Sequence, residues 1–274
     1  MKIIHLTDLH LVTPGQRLYG LDPHARLLAA IDDINASHTD TDFVLITGDL
    51  AHHGEAAAYE ALKAAVNRLA LPYHLLLGNH DDRAAFLRVF PETAVDDGGF
   101  VQGSVTTPGG TFIFLDTHEP GTHEGSLCEA RLAWLDRTLA NLQGGPAFLA
   151  LHHPPLPLAI PAMDILALRQ GREVAAILKR RGNVRHIFFG HVHRPIHGTW
   201  HGIPFSTLRG LNHQVAMHFD VQSGIPGSHE PPAYAIILID DASVVVHVHD
   251  FLDASPRFDL FDKEIERSAV QLAL

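Results

Sequence analysis

The sequence predicts an α/β fold in which a parallel sheet with helical crossovers packs against a second sheet. Three observations carry this. Residues 2–90 alternate short apolar strands with amphipathic helices. Residues 195–250 hold closely spaced β-type segments in a meander. Five short apolar runs each end, usually through a Gly, in residues of metal-ligand type. The first pattern gives parallel strands, because the crossover between parallel neighbours is normally a helix. In open α/β sheets, ligands bind outside the carboxyl ends of the strands. Five such ends carrying Asp, Asn and His are therefore expected to converge on one site.

Taken in order, strand one covers residues 2–7 and runs into Asp8-Leu9-His10. Residues 23–36 place apolar side chains at i, i+3 and i+4 and predict a helix. Strand two, 43–47, ends in Gly48-Asp49, and a second helix spans 55–69. Strand three, 73–77, leads into Gly78-Asn79-His80-Asp81, and residues 82–90 form a short helix. Residues 99–106 and 111–116 predict a hairpin around Pro108-Gly109-Gly110. Leu132, Leu135 and Leu139 share one stripe of a helix over 127–142. Strand 147–151 ends in His152-His153 and a rigid loop, Pro154-Pro155-Leu156-Pro157. A helix over 171–181 precedes strand 186–189, which delivers Gly190-His191-Val192-His193. Strands over 195–201, 203–207, 214–220, 233–240 and 243–250 are expected to build the second sheet. Residues 251–274 form a charged tail with one expected helix.

A chain of 274 residues can bury a core, and its 46% hydrophobic content is that of a soluble globular protein. No apolar run reaches the ~18 residues of a transmembrane helix. The start has no basic, apolar and cleavage regions, so no signal peptide is expected. One cysteine, Cys128, excludes an internal disulfide and suits a cytoplasmic location. A net charge of −11 argues against extended nucleic-acid binding, which needs Lys/Arg stripes. A small anionic substrate remains compatible, because a dinuclear metal site brings its own positive charge. With 22 histidines present, each must be tied to a motif before it counts.

Asp8, His10, Asp49 and His193 could hold one divalent ion. Asp49, Asn79, His152 and His191 could hold a second, with Asp49 as the bridge that two-metal sites require. Two carboxylates against two dications leave the site positive. The expected reaction is in-line attack on a phosphodiester by a metal-bound hydroxide, with His80 stabilising charge or protonating the leaving alkoxide. Asp/Asn/His donor sets accept Fe, Mn, Zn or Co.

The ordered set Asp8-x-His10, Gly48-Asp49, Gly78-Asn79-His80-Asp81, His152 and Gly190-His191-x-His193 resembles the signature of the calcineurin-like metallophosphoesterases, complete across residues 8–193. Within that superfamily the chain looks most like bacterial class III cyclic-nucleotide phosphodiesterases and related glycerophosphodiesterases. The segments that carry this are Arg17-Leu18-Tyr19-Gly20, Leu115-Asp116-Thr117, His152-His153-Pro154-Pro155 and Gly202-Ile203-Pro204. The resemblance implies a four-layer α/β/β/α sandwich of two mixed sheets flanked by helices. It implies the same ligand roles; one catalytic domain is expected over 1–250, with loops 153–170 and 208–232 capping the site. It also implies hydrolysis of 3′,5′-cyclic nucleotides or glycerophosphodiesters and a homo-oligomer of two or more chains; residues 251–274 lie outside the resemblance and are separately expected at an oligomer interface.

Substrate contacts are expected from His53, His153 and His213. His53 follows the Asp49 turn, and His153 would be a wall of the site or a support for a ligand. His213-Gln214 resembles a pair of the glycerophosphodiesterase branch. His247 and His249 alternate along a strand and read as a solvated face. The alternative activity is phosphomonoester hydrolysis, for which Arg83 and Arg194 would be the extra cations. A scaffold that has lost its chemistry would lack ligands, whereas all seven positions and His80 are filled here.

Overall fold

The fold was analysed in a computed structural model, which describes residues 1–220 and 224–261. The first half comprises β1 (Lys2–Leu6), α1 (Pro23–Ser37), β2 (Phe43–Thr47), α2 (Ala56–Val66), β3 (Tyr73–Leu76) and α3 (Arg83–Val89). The middle comprises β4 (Gly103–Thr107), β5 (Gly110–Phe114), α4 (Glu129–Asn141), β6 (Ala147–Ala150), α5 (Pro161–Asp164), α6 (Gly171–Arg181) and β7 (Val184–Phe188). The remainder is β8 (His197–Trp200), β9 (Ile203–Ser206), β10 (Gln214–Val215), β11 (Gly227–Ser228), β12 (Tyr234–Ile239) and β13 (Val244–His249).

Two mixed sheets result, in the orders β13-β12-β1-β2-β3 and β4-β5-β6-β7-β9-β8. Alternate residues of each strand face opposite layers. Ile3, Phe43 and Leu45 of the first sheet pack against Phe112, Phe148 and Phe188 of the second. Their neighbours Ile4, Val44 and Ile46 pack under Leu27, Ile31 and Leu62 of α1 and α2. On the far side Ile113, Leu149 and Ile187 meet Leu135, Leu139, Val174 and Leu178 of α4 and α6. This is helix on sheet on sheet on helix, the expected four-layer sandwich. Strands buried on both faces read as unbroken apolar runs, as Phe43–Thr47 does. Each such side chain contributes roughly 1.5–3 kcal/mol by leaving water.

Local chemistry sets the helix ends. The Asp22 carboxylate accepts from the Ala25 amide at 3.0 Å, with Pro23 in the first turn of α1. Asp82 caps α3 through the Ala85 amide at 2.7 Å. No helix among the described residues is long and apolar enough to cross a membrane.

The structure departs from the sequence expectations in four places. Strands β12 and β13 do not join the second sheet. They return to the first, where β12 runs antiparallel to β1 and closes its open edge, Ile3 opposite Ile237. Residues 214–220 are not one strand. Only Gln214–Val215 pair, with Gly227–Ser228, after which Ala216 still donates to the Pro226 carbonyl and the chain leaves the ladder. The segment before Gly103 is a turn, because the Asp96 carboxylate accepts from the Gly98 and Phe100 amides and the Gln102 side chain. The segment 153–170, expected as a loop, contains the short helix α5 with Pro161 in its first turn. The helix expected in the tail falls outside the described residues beyond 261.

Candidate metal centre

The carboxyl ends of β1, β2, β3, β6 and β7 meet at one point of the sandwich. The loops after β1 and β2 are zipped together, His10 N to the Asp49 carbonyl at 2.8 Å and Leu11 N to that of Leu50 at 3.0 Å. The β7 loop is pinned to the first sheet because the His191 amide donates to both Asp8 oxygens at 3.1 Å. Gly190 is required by space: a Cβ there would overlap Thr7 Oγ1 and lie 3.0 Å from Asp8 Oδ2. Gly78 is required in the same way, since a Cβ would overlap the Asp49 carboxylate.

Asp8, His10, Asp49, His191 and His193 are all non-glycine residues in the left-handed region, with φ of +54°, +47°, +49°, +71° and +48°. Such a conformation costs on the order of 1–3 kcal/mol each and clusters at functional sites. Here it turns five side chains back over the strand ends.

Ligand-type atoms of Asp8, His10, Asp49 and His193 lie within 4.8 Å of one another. His10 Nε2 is 3.5 Å from Asp49 Oδ2, and His193 Nε2 is 3.3 Å from Asp8 Oδ1. A second set forms around Asn79 Oδ1, 2.9 Å from His191 Nδ1 and 3.2 Å from His152 Nε2. His152 Nε2 is also 3.5 Å from Asp49 Oδ1. Asp49 thus turns one oxygen to each set.

Imidazole tautomers are fixed from behind. His152 Nδ1 donates to the Thr47 carbonyl at 2.7 Å, and His193 Nδ1 donates to that of His213 at 2.7 Å. Each Nε2 is left with its lone pair facing an acceptor oxygen, an arrangement stable only with a cation or proton between them. Electrostatics agree. Burial opposes charge, yet Asp49 and Asp8 raise His152 to about 9, and Asp8 raises His193. Burial likewise opposes an ionised Asp49, yet His152, His80 and His10 hold its carboxyl well below the usual range. Burial pushes His191 down to about 3, which keeps it a neutral donor. The residues present therefore fit two divalent cations.

His80 is half-buried above this floor. Its amide donates to Asp49 Oδ1 at 2.9 Å, and its Nδ1 donates to the His52 carbonyl at 2.8 Å, which reserves Nε2 for the cleft side of its chemistry. Of the three expected substrate contacts, only His213 lines the cleft. His53 is exposed beside His52, with ring centres 4.5 Å apart. His153 is buried, its Nδ1 2.8 Å from Thr117 Oγ1 and its ring 4.8 Å from that of His191. Neither reaches the cleft as placed.

Arg83 and Arg194 are both spent on carboxylates. Arg83 Nε and Nη2 grip Asp116 at 2.8 and 3.0 Å, and Arg194 binds Glu230 at 2.6 Å. Sequence reasoning missed three supports. Asp81 accepts from the Leu50, Ala51 and Gly78 amides and the Tyr59 hydroxyl at 2.8–3.1 Å, locking two ligand loops together. Gln214 bonds both ways with Gly210, at 2.7 and 2.9 Å, and so fixes the loop that offers the His213 carbonyl. His52 Nδ1 stands 3.0 Å from His10 Nδ1, behind the metal-facing edge. The Asp following His80 and the His-Gln pair were visible signals; nothing in the spacing pointed to the His52–His10 contact.

A sequence model of the calcineurin-like phosphoesterase family matches residues 1–195. The chain is 44% identical over 265 residues to a probable cyclic nucleotide phosphodiesterase of Rhodopseudomonas palustris, covering 96% of this chain and 97% of that one. It is 30% identical over 236 residues to a probable glycerophosphodiester phosphodiesterase of Arcobacter nitrofigilis, covering 85% and 86%. Among solved structures, a dimetal phosphatase from Danio rerio superposes with a TM-score of 0.68 at 15% identity, over 92% of this chain and 96% of that one. The four-layer frame, the convergent donor sets and these matches lead to one assignment: the chain belongs to the calcineurin-like phosphoesterase family.

Proposed function

We propose that this enzyme hydrolyses small phosphodiesters, 3′,5′-cyclic nucleotides or glycerophosphodiesters. Asp8, His10, Asp49 and His193 would hold one divalent cation, and Asp49, Asn79, His152 and His191 the other, drawn from Fe, Mn, Zn or Co. When bound, these ions would supply the positive charge that lowers the pKa of a water and neutralises phosphoryl oxygens. In the reaction a water oxygen bonds to phosphorus while the ester P–O bond breaks. His80, in its doubly protonated form with Nδ1–H held by the His52 carbonyl, would give its Nε2 proton to the departing oxygen, and the proton that the attacking water loses would pass to solvent and later restore the ring.

The observation that carries the diester reading is the charge of the cleft. Among the described residues, its lining contains no Lys or Arg, and Arg83 and Arg194 are held by Asp116 and Glu230. A diester monoanion needs no more than the two metal charges, whereas a monoester dianion gains from further cations. The names of the relatives point the same way. Metal-stripped enzyme refilled with single metals should cleave bis(p-nitrophenyl) phosphate with a higher kcat/KM than p-nitrophenyl phosphate. The reverse order under the same metal would favour the monoesterase reading. Self-association and a cytoplasmic setting belong to the same proposal. Leu252, Phe258, Leu260 and Phe261 leave apolar surface exposed in the tail, and Cys128 is a free thiol.

A further inference from the structure

The cleft over the metal centre has a volume of about 670 Å³ and two unlike sides. Its floor is made of the ligands and His80. Another part of its lining is Met163, Leu166, Val215, Ile225 and Pro226, contributed by α5, the turn that follows it and the β10–β11 segment. This wall is not a loose loop surface. Met163 and Val215 are buried against Ile160 and Val192 in a small core of their own. Val192 stands between the donors His191 and His193, so the wall is packed directly onto the loop that carries them. Ile225 nevertheless remains 47% exposed. Tyr19, at φ +51° and 60% exposed, adds an aromatic ring to the same lining, 4.7 Å from the His213 ring. His229 Nε2 donates to the Tyr19 carbonyl at 3.0 Å and ties the two rims together.

An apolar wall beside a phosphoryl centre rewards only a substrate that carries an apolar face near its phosphate. Glycerol, ethanolamine and choline alcohols are small and polar or charged, and would leave this surface wet. A purine or pyrimidine attached through ribose presents a flat, weakly solvated face of the right size for a cleft of this volume. We propose that Met163, Leu166 and Ile225 form a nucleobase subsite, which makes 3′,5′-cyclic nucleotides the preferred substrates. The inference rests on the phosphodiesterase reading and narrows it.

The test uses the metal-loaded enzyme with 3′,5′-cyclic AMP and with sn-glycero-3-phosphoethanolamine, a diester without a base. The wild type should prefer cyclic AMP. Leu166→Ser and Ile225→Ser, both at partly exposed positions, should lower the ratio of the two kcat/KM values by about 10-fold, as expected for loss of apolar contact. The loss should appear in KM. As a readout independent of turnover on either diester, the inhibition constant of 5′-AMP should rise in the same variants relative to that of inorganic phosphate. A wild type that cleaves the baseless diester as well or better, or variants that lower both substrates equally, would overturn the subsite while leaving the diesterase reading intact. Failure of the wild type on both diesters would overturn both.

Discussion

His10 Nε2 and His193 Nε2 stand 3.1 Å apart, although 183 residues separate them in the chain. His193 has already committed its Nδ1 proton to the His213 carbonyl, so its Nε2 brings a lone pair into the space it shares with His10 and two carboxylates. Four donors aimed at one point are a cost to the fold unless a cation shares them.

Asp49 presents one oxygen to each donor set, so it should control both ions. Asp49→Ala is expected to empty both sites, and Asn79→Ala to weaken mainly one. Metal content after gel filtration, measured by mass spectrometry, checks this. A fully loaded wild type with a single ion per chain would refute the bridged pair.

His80→Ala should leave metal content intact and lower kcat by ~10²–10⁴-fold, the usual loss of a general acid. The deficit should be largest for alkyl leaving groups such as a ribose 3′-oxygen. It should shrink for p-nitrophenol, which needs little protonation. A deficit equal across leaving groups would assign His80 to electrostatics or positioning; loss of metal would make it a support.

Gly190→Ala tests the packing between β7 and β1. The added Cβ would meet Thr7 Oγ1 and crowd the Asp8 carboxylate. Overpacking of this kind costs about 1–3 kcal/mol. Thermal unfolding should show that loss, and metal titration should show weakened binding at the Asp8 set. An unchanged melting temperature together with unchanged metal affinity would contradict it.

Acid stability should depend on His186. Burial and then His197 push it from 6.5 down to about 4. The unfolded chain takes up a proton that the folded chain refuses, so stability is complete above pH ~6.5 and falls as pH drops toward ~4. The full effect is on the order of 3 kcal/mol. His186→Gln, which keeps a donor for Ser206, should lose less melting temperature than wild type between about pH 7.5 and pH 4.5. Equal acid losses would refute the assignment.

The strands that are buried on both faces were legible because their residues are apolar without interruption, as in Phe43–Thr47. The donors were legible because each follows such a run, three of the five through a Gly, at Gly48, Gly78 and Gly190. The return of Tyr234–Ile239 to the first sheet was not, because period-two spacing reveals a strand and says nothing about its partner. Burial of His153 and the exposure of His53 were equally hidden. Both follow a ligand in sequence, and only the path of the backbone separates the inner ring from the outer one. The left-handed turns at Asp8, His10, Asp49, His191 and His193 had no signal at all, since none of them is a glycine.

The pairing of β1 has a consequence for biosynthesis. One edge of β1 meets β2 early, but the other waits for β12, Ile3 opposite Ile237. At ribosomal rates of ~5–20 residues per second, roughly 12–46 s pass between emergence of the two strands. Throughout that interval the nascent protein carries an apolar strand with an unpaired edge, a template for association with other chains. Asp8 and His10 follow directly on that strand, and the donor set that they share with His193 is assembled only after β7 has emerged. Covering the open edge of β1 until β12 arrives would therefore protect the nascent chain from such association.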